Sequence, residues 1–173
     1  VNLSLTLDQM AATTVKPTHF VLETGARIET ETGSAVTLTS DQSIDIDGLI
    51  SAPSGSIDLR IKKPRSNETN AYFLPEQGIY LSNTAQLLSR GAAEILPNKL
   101  GQTVGQVLDG GQINLTADRG HIITETGSLI DVSGTSATVH IRPYGAINGG
   151  ALEQVASNAG SVYLTAAEGM LLA

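Results

Sequence analysis

The stretch VTLTSDQSIDI, residues 36–46, decides the fold because the chain repeats its pattern twice more. The stretches INLTADRGHII, residues 113–123, and VYLTAAEGMLL, residues 162–172, align with it without gaps. All three share an apolar residue, a variable residue, Leu-Thr and a small residue, followed after a short interval by a second apolar pair. Internal repeats of this kind are typical of chains that stack similar units on one another.

Alternation of apolar and polar residues within the repeats predicts strands. Ile44 and Ile46 alternate with Asp45 and Asp47, and residues 1–8 alternate in the same way. A period of two places one side chain inside and the next outside. Short strands that end at Gly can pair in parallel with the equivalent strand one repeat away, at about 4.8 Å. We therefore predict an all-β fold, a right-handed parallel β-helix (solenoid) of six or seven coils with extrahelical loops.

The phrase TETGS occurs twice, at residues 30–34 and 124–128, and we interpret it as one recurring corner between strands. Gly33 and Gly127 are expected to have positive φ angles, which glycine adopts readily. Further repeat units are expected to begin near Ile57 and Val139.

Residues 1–173 are predicted to be a single β-helix segment of a larger protein. Two polar stretches that contain proline or several glycines, residues 62–77 and 92–110, are interpreted as loop insertions. Loops that leave a solenoid often carry its function.

Composition excludes several kinds of site. The chain has no cysteine, so it has no disulfide, thiolate metal site or cysteine nucleophile. A net charge of −7 argues against nucleic acid as a partner. The absence of Trp and the presence of only two Phe favour a narrow interior of small aliphatic side chains.

The run GQVLDGGQINLTADRGHIITETGSLIDVSGT, residues 105–135, resembles the filamentous haemagglutinin family of exoproteins, the secreted partners of two-partner secretion systems in Gram-negative bacteria. The resemblance implies a structural shaft or display segment of a large secreted cell-surface adhesin. It implies contact with a host or neighbouring cell surface through the parent protein, and with an outer-membrane transporter during secretion. The family supplies no catalytic residues, metal or cofactor, so we expect a segment that is not an enzyme and is itself monomeric.

The first insertion offers candidate contact residues. Lys62, Lys63 and Arg65 form a small basic cluster that could bind an acidic glycan, or could simply be solvated and discourage edge pairing. Tyr72 and Phe73 could contact a partner or pack the loop onto the shaft. A glycan- or receptor-binding module acting through the inserted loops therefore remains an alternative function.

Three Asn-x-Ser/Thr patterns, at Asn2, Asn67 and Asn114, could accept a sugar, and Asn114 is expected to face outwards. Such matches also arise by chance in chains rich in Asn, Ser and Thr.

A polysaccharide lyase or hydrolase built on a β-helix is the other alternative. Asp41, Asp45 and Asp47, with Asp58 and Arg60 one coil away, could hold calcium and supply a base, or could form an ordinary solvated face. The three histidines, His19, His121 and His140, show no spacing that indicates a metal or catalytic site.

Overall fold

The computed structural model describes residues 1–7, 19–62, 76–141 and 150–173, and over these residues the protein is all-β with no helix. The strands are, in chain order, β1 (Leu3–Leu7), β2 (His19–Leu22), β3 (Arg27–Glu29), β4 (Ala35–Ser40), β5 (Ser43–Ile46), β6 (Leu49–Ser51), β7 (Ser56–Ile61), β8 (Gly78–Leu81), β9 (Gln86–Leu88), β10 (Ala93–Pro97), β11 (Thr103–Val107), β12 (Gln112–Ala117), β13 (His121–Thr124), β14 (Leu129–Asp131), β15 (Ser136–Ile141), β16 (Ala151–Ala156), β17 (Ser161–Ala166) and β18 (Gly169–Leu171).

Most strands belong to three parallel sheets, which the chain visits in a fixed order. Sheet A contains β1, β4, β7, β12 and β17; sheet B contains β2, β5, β8, β13 and β18; sheet C contains β3, β6, β9 and β14. The predicted all-β class and the parallel pairing of equivalent strands are confirmed. Over the described residues the chain completes four rounds of A, B and C and adds β17 and β18, fewer than the six or seven predicted.

The interior consists of columns of equivalent residues from successive rounds. Five leucines of sheet A lie in one register column: Leu5, Leu38, Leu59, Leu115 and Leu164. The three middle leucines are fully buried or nearly so, whereas the two at the ends of the column are partly exposed. The aliphatic alternation predicted from the repeats is therefore the pattern that builds the core.

The first halves of the repeats at residues 36–46, 113–123 and 162–172 occupy equivalent positions in sheet A. Ile113 pairs with Ile57 and with Val162, and Ile57 pairs with Val36. The second half of the repeat at residues 113–123 departs from the gapless alignment, because Ser43 is equivalent to His121 rather than to Gly120. The repeat at residues 162–172 keeps the alignment, since Gly169 is equivalent to Ser43. Gly120, with φ of 82°, is an extra residue in the corner before β13. Its insertion moves the side-chain alternation by one, so that Ile122 is buried and Ile123 lies on the outer face.

The TETGS phrases form the same turn at two different corners. Gly33 and Gly127 have positive φ angles of 72° and 105°, as predicted. In both copies the serine N–H donates to the glutamate carbonyl three residues earlier. The first copy connects sheet C to sheet A, whereas the second connects sheet B to sheet C. The prediction of a recurring bend is confirmed, but the two copies lie at different corners of the round, because a turn that is determined locally fits any corner of the right angle.

Three glycines stack where the chain returns from sheet C to sheet A. Gly55, Gly111 and Gly160 follow one another in successive rounds, and the residue after each donates its N–H to the round before. A Cβ on Gly111 would lie 1.9 Å from the Gly55 carbonyl oxygen, and one on Gly160 would lie 1.7 Å from the Gly111 oxygen. These glycines are required by the close approach of one backbone to the next.

In the described part of the chain, two antiparallel hairpins lie outside the three parallel sheets. β10 pairs with β11, inside the predicted insertion 92–110, and β15 pairs with β16. The second hairpin contains Val139, so the prediction of a repeat unit near that residue was wrong. Both hairpins leave on the way from sheet C to sheet A, in consecutive rounds, and the N–H of Thr103 in β11 donates to Nδ1 of His140 in β15 at 3.0 Å.

Candidate functional site

The outer face of sheet B carries an open depression of about 280 Å³, lined by His19, Ser43, Asp45, Glu76 and Tyr80. Parallel pairing creates it, because His19 of β2 pairs with Ser43 of β5 while Asp45 pairs with Tyr80 of β8. Outward positions of three successive rounds are thus brought side by side.

Gly78 lies in the same row of positions, where it pairs with Ser43 on one side and His121 on the other. A Cβ on Gly78 would lie 2.5 Å from the His121 carbonyl oxygen, so the glycine is required by the close approach of β8 and β13.

Three polar groups at the floor of the depression are hydrogen bonded to one another. The Nδ1 atom of His19 lies 2.6 Å from the Ser43 hydroxyl oxygen and 3.4 Å from Oδ2 of Asp45. The Ser43 hydroxyl donates to the same Asp45 oxygen at 3.1 Å. Since that hydroxyl has one proton and gives it to Asp45, Nδ1 of a neutral His19 is the nitrogen that carries hydrogen, which leaves Nε2 as an acceptor.

The residue types Ser, His and Asp occur here together, but their geometry is not that of a nucleophilic triad. Ser43 and Asp45 share one histidine nitrogen, whereas a triad uses the two ring nitrogens separately. Ser43 is only 1% exposed, so its hydroxyl is closed to a substrate. The cluster orders the floor of the depression and presents the remaining atoms of His19 and Asp45.

Burial changes the acidity of two of the lining groups. Burial raises the pKa of Asp45, although hydrogen bonding by Ser43 and the nearby His19 act in the opposite direction. Burial also raises the pKa of Tyr80, and the carboxylates of Asp45 and Glu76 add to that effect. In both groups the main cause is that the surrounding protein shields the charged form from water.

Most of the predicted contact residues cannot be placed. Lys63, Arg65, Asn67, Tyr72 and Phe73 lie outside the described residues. Lys62, half-buried, follows β7, and its N–H donates to the Ser40 carbonyl one round below.

Asn114 lies on the outer face of sheet A, and both the nitrogen and the oxygen of its side-chain amide are hydrogen bonded. Its Nδ2 donates to Asp58 of β7, and its Oδ1 accepts from Gln112 at 2.9 Å. Attachment of a sugar to Nδ2 would have to disrupt the contact with Asp58. Asn2, in the first round, accepts a hydrogen bond from the Ala35 N–H through its side-chain oxygen.

The acidic residues considered for a lyase are not assembled on one face. Asp45 belongs to sheet B and Asp58 to sheet A. Arg60 forms an ion pair with Asp118, in which Nη2 lies 2.6 Å from Oδ2. Over the described ranges no group of three or more His, Cys, Asp or Glu residues could hold a metal ion.

Sequence reasoning missed the cluster formed by His19, Ser43, Asp45 and Tyr80. The signal was present in part, since Asp45 lies at an outward position of a well-defined repeat. The residues beside Asp45 can be identified only when the register between successive rounds is known. That register cannot be read from the sequence, because the connections before β2 and β8 differ in length from the connection before β5.

The tip of the β10–β11 hairpin is a second ordered surface feature. The Asn98 side-chain oxygen accepts from the N–H groups of Leu100 and Gln102, at 2.9 and 3.0 Å. Gly101 completes the turn with φ of 73°. These bonds fix a tip on which Leu100 is 77% exposed.

Nothing in the described part of the chain is a helix that could cross a membrane. Comparisons with protein-family models, with curated proteins and with solved structures found no match.

Proposed function

We propose that this chain is a right-handed parallel β-helix that serves as a structural shaft and display segment of a large secreted cell-surface adhesin. The observation that carries the proposal is the unbroken stacking of equivalent residues. Each middle strand of sheet A pairs on both sides with the equivalent strand of another round. A chain in which each unit contacts only its neighbours forms a stiff, extendable body.

The secreted and adhesive parts of the proposal are supported by the resemblance of residues 105–135 to the filamentous haemagglutinin family. In that role the stacked sheets bear mechanical load and keep adhesive parts away from the cell, while the two described hairpins leave the sheets between sheet C and sheet A. The partner would be a host or neighbouring cell surface reached through the parent protein, with an outer-membrane transporter acting during secretion.

Deletion of one whole round tests the solenoid. Leu38 pairs with Leu59, so removing residues 38–58 joins Thr37 to Leu59 and keeps every later side chain on its own face. We expect the shortened protein to retain its β-type circular dichroism and cooperative unfolding, at a lower melting temperature. A body without this one-dimensional organisation would lose its fold.

A matched control removes one residue fewer. Deletion of residues 38–57 joins Thr37 to Asp58, which places a carboxylate where Leu59 belongs and turns the core residues of the hybrid strand outwards. This variant should fail to fold. Equal behaviour of the two deletions would contradict the proposed stacking.

Adhesion can be tested separately from architecture. Beads coated with the chain are compared with beads coated with a variant in which residues 64–75 are replaced by a short Gly/Ser link, which keeps Glu76 of the sheet B depression. Binding of host cells by the first and not the second would assign adhesion to that connection, as the loop-module alternative requires. Equal low binding by both would agree with a plain shaft. Strong binding by both would locate adhesive residues elsewhere on this chain and contradict a display-only role.

A further inference from the structure

We propose that the depression on the outer face of sheet B binds a primary ammonium group, carried by an amino sugar or by a lysine side chain. The lining residues are His19, Ser43, Asp45, Glu76 and Tyr80. This inference goes beyond the shaft function and does not depend on it, since a binding site can lie on a solenoid of any role.

The free atoms of the depression are mostly hydrogen-bond acceptors. Oδ1 of Asp45 makes no hydrogen bond to another described residue, because Ser43 and His19 both contact Oδ2. The tautomer deduced for His19 leaves Nε2 as an acceptor, and the Glu76 carboxylate can only accept when ionised. Among the described lining residues, only Tyr80 has a donor that is not already used within the cluster of His19, Ser43 and Asp45. A complementary ligand must therefore supply several donors and few acceptors, which describes an ammonium group with its three N–H bonds.

Charge selects the same ligand. Two of the five described lining residues are carboxylates, and none of these five is Lys or Arg. Burial raises the pKa values of Asp45 and Tyr80, and a bound cation would lower them because it stabilises the ionised form of each group. An anionic sugar would instead be repelled by both carboxylates.

The depression has the size of a small chemical group. The volume of about 280 Å³ is roughly that of nine waters at about 30 Å³ each, enough for an aminomethylene group or one amino-sugar ring. The half-buried Tyr80 side chain also lines the depression, and an aromatic ring can attract a cation.

Two pairs of probes separate the ammonium from the rest of the ligand. The ¹⁵N-labelled full chain is titrated with D-glucosamine and with N-acetyl-D-glucosamine, and then with Nα-acetyl-lysine methylamide and with its Nε-acetylated form. We expect the backbone signals of Ser43, Asp45 and Tyr80 to shift with one or both amines at about 10 mM, above the millimolar Kd of a weak site. The acetylated partners should give no shift. The stronger of the two amines identifies the source of the ammonium.

Variants then assign the contact. Asp45→Asn keeps an oxygen that can accept from Ser43 and removes the charge, so the affinity for the amine should fall about tenfold, as expected for a lost charge-assisted hydrogen bond. Glu94→Gln is the control for general electrostatics. It removes the same charge from the β10–β11 hairpin, outside sheet B, where Glu94 accepts from Gln106. This control should bind the amine as the unmodified protein does.

An independent readout is the titration of Asp45 itself. Saturation with the amine should lower the Asp45 pKa, followed through its ¹³C carboxyl shift, because the cation favours the carboxylate. The proposal is overturned if neither amine shifts these residues, if the acetylated probes shift them equally, or if Glu94→Gln weakens binding as much as Asp45→Asn.

Discussion

Replacing leucines of the sheet A column with alanine measures how much the neighbouring rounds contribute to the free energy of unfolding. Leu59 is 1% exposed between Leu38 and Leu115, whereas Leu5, in the first round, is 39% exposed. Leu→Ala removes three carbons, worth about 2.4 kcal/mol at about 0.8 kcal/mol for each when fully buried. At Leu59 the cavity between two fixed neighbours adds to this loss, and we expect about 3–5 kcal/mol in total.

At Leu5 only about three fifths of the side chain is buried and its outer side is open. The same substitution should therefore cost about 1.5 kcal/mol, with little added for a cavity. The assay is urea unfolding followed by circular dichroism, with the transition slope compared between variants to verify that the same surface is exposed. Equal losses at the two sites, or a larger loss at Leu5, would refute the assignment of these leucines to one column with an interior and an end.

Other predictions concern the backbone and the corners. Gly111→Ala should destabilise the protein by about 3 kcal/mol in the same urea assay, because its Cβ would meet a carbonyl oxygen of the previous round. Asn98→Ala should leave the core intact but increase amide hydrogen exchange at the β10–β11 tip, since two N–H groups lose their acceptor. The pKa of Asp131 is lowered by hydrogen bonds from Ser133 and by the nearby Arg90. Its contribution to stability is therefore present above the ordinary aspartate pKa and lost as the pH falls through the lowered value, so Asp131→Asn should flatten the acid part of the stability profile.

The sequence alone predicted the elements whose causes are local. Alternation predicted the strands around Val36, Ile113 and Val162, and the Gly33 and Gly127 turns followed from the conformational freedom of glycine. These features need only neighbouring residues, because the strand period and the turn geometry are properties of short stretches of backbone.

Tertiary structure alone decided which strand lies beside which. One extra residue at Gly120 shifted the inward–outward alternation of β13 by one position. The strand that contains Val139 pairs in a hairpin instead of joining one of the three parallel sheets. The depression around Asp45 exists only because His19 and Tyr80 arrive beside it from other rounds. The physical reason is that register depends on the lengths of the connections and on backbone hydrogen bonds between distant residues, and neither is encoded in the alternation within a single strand.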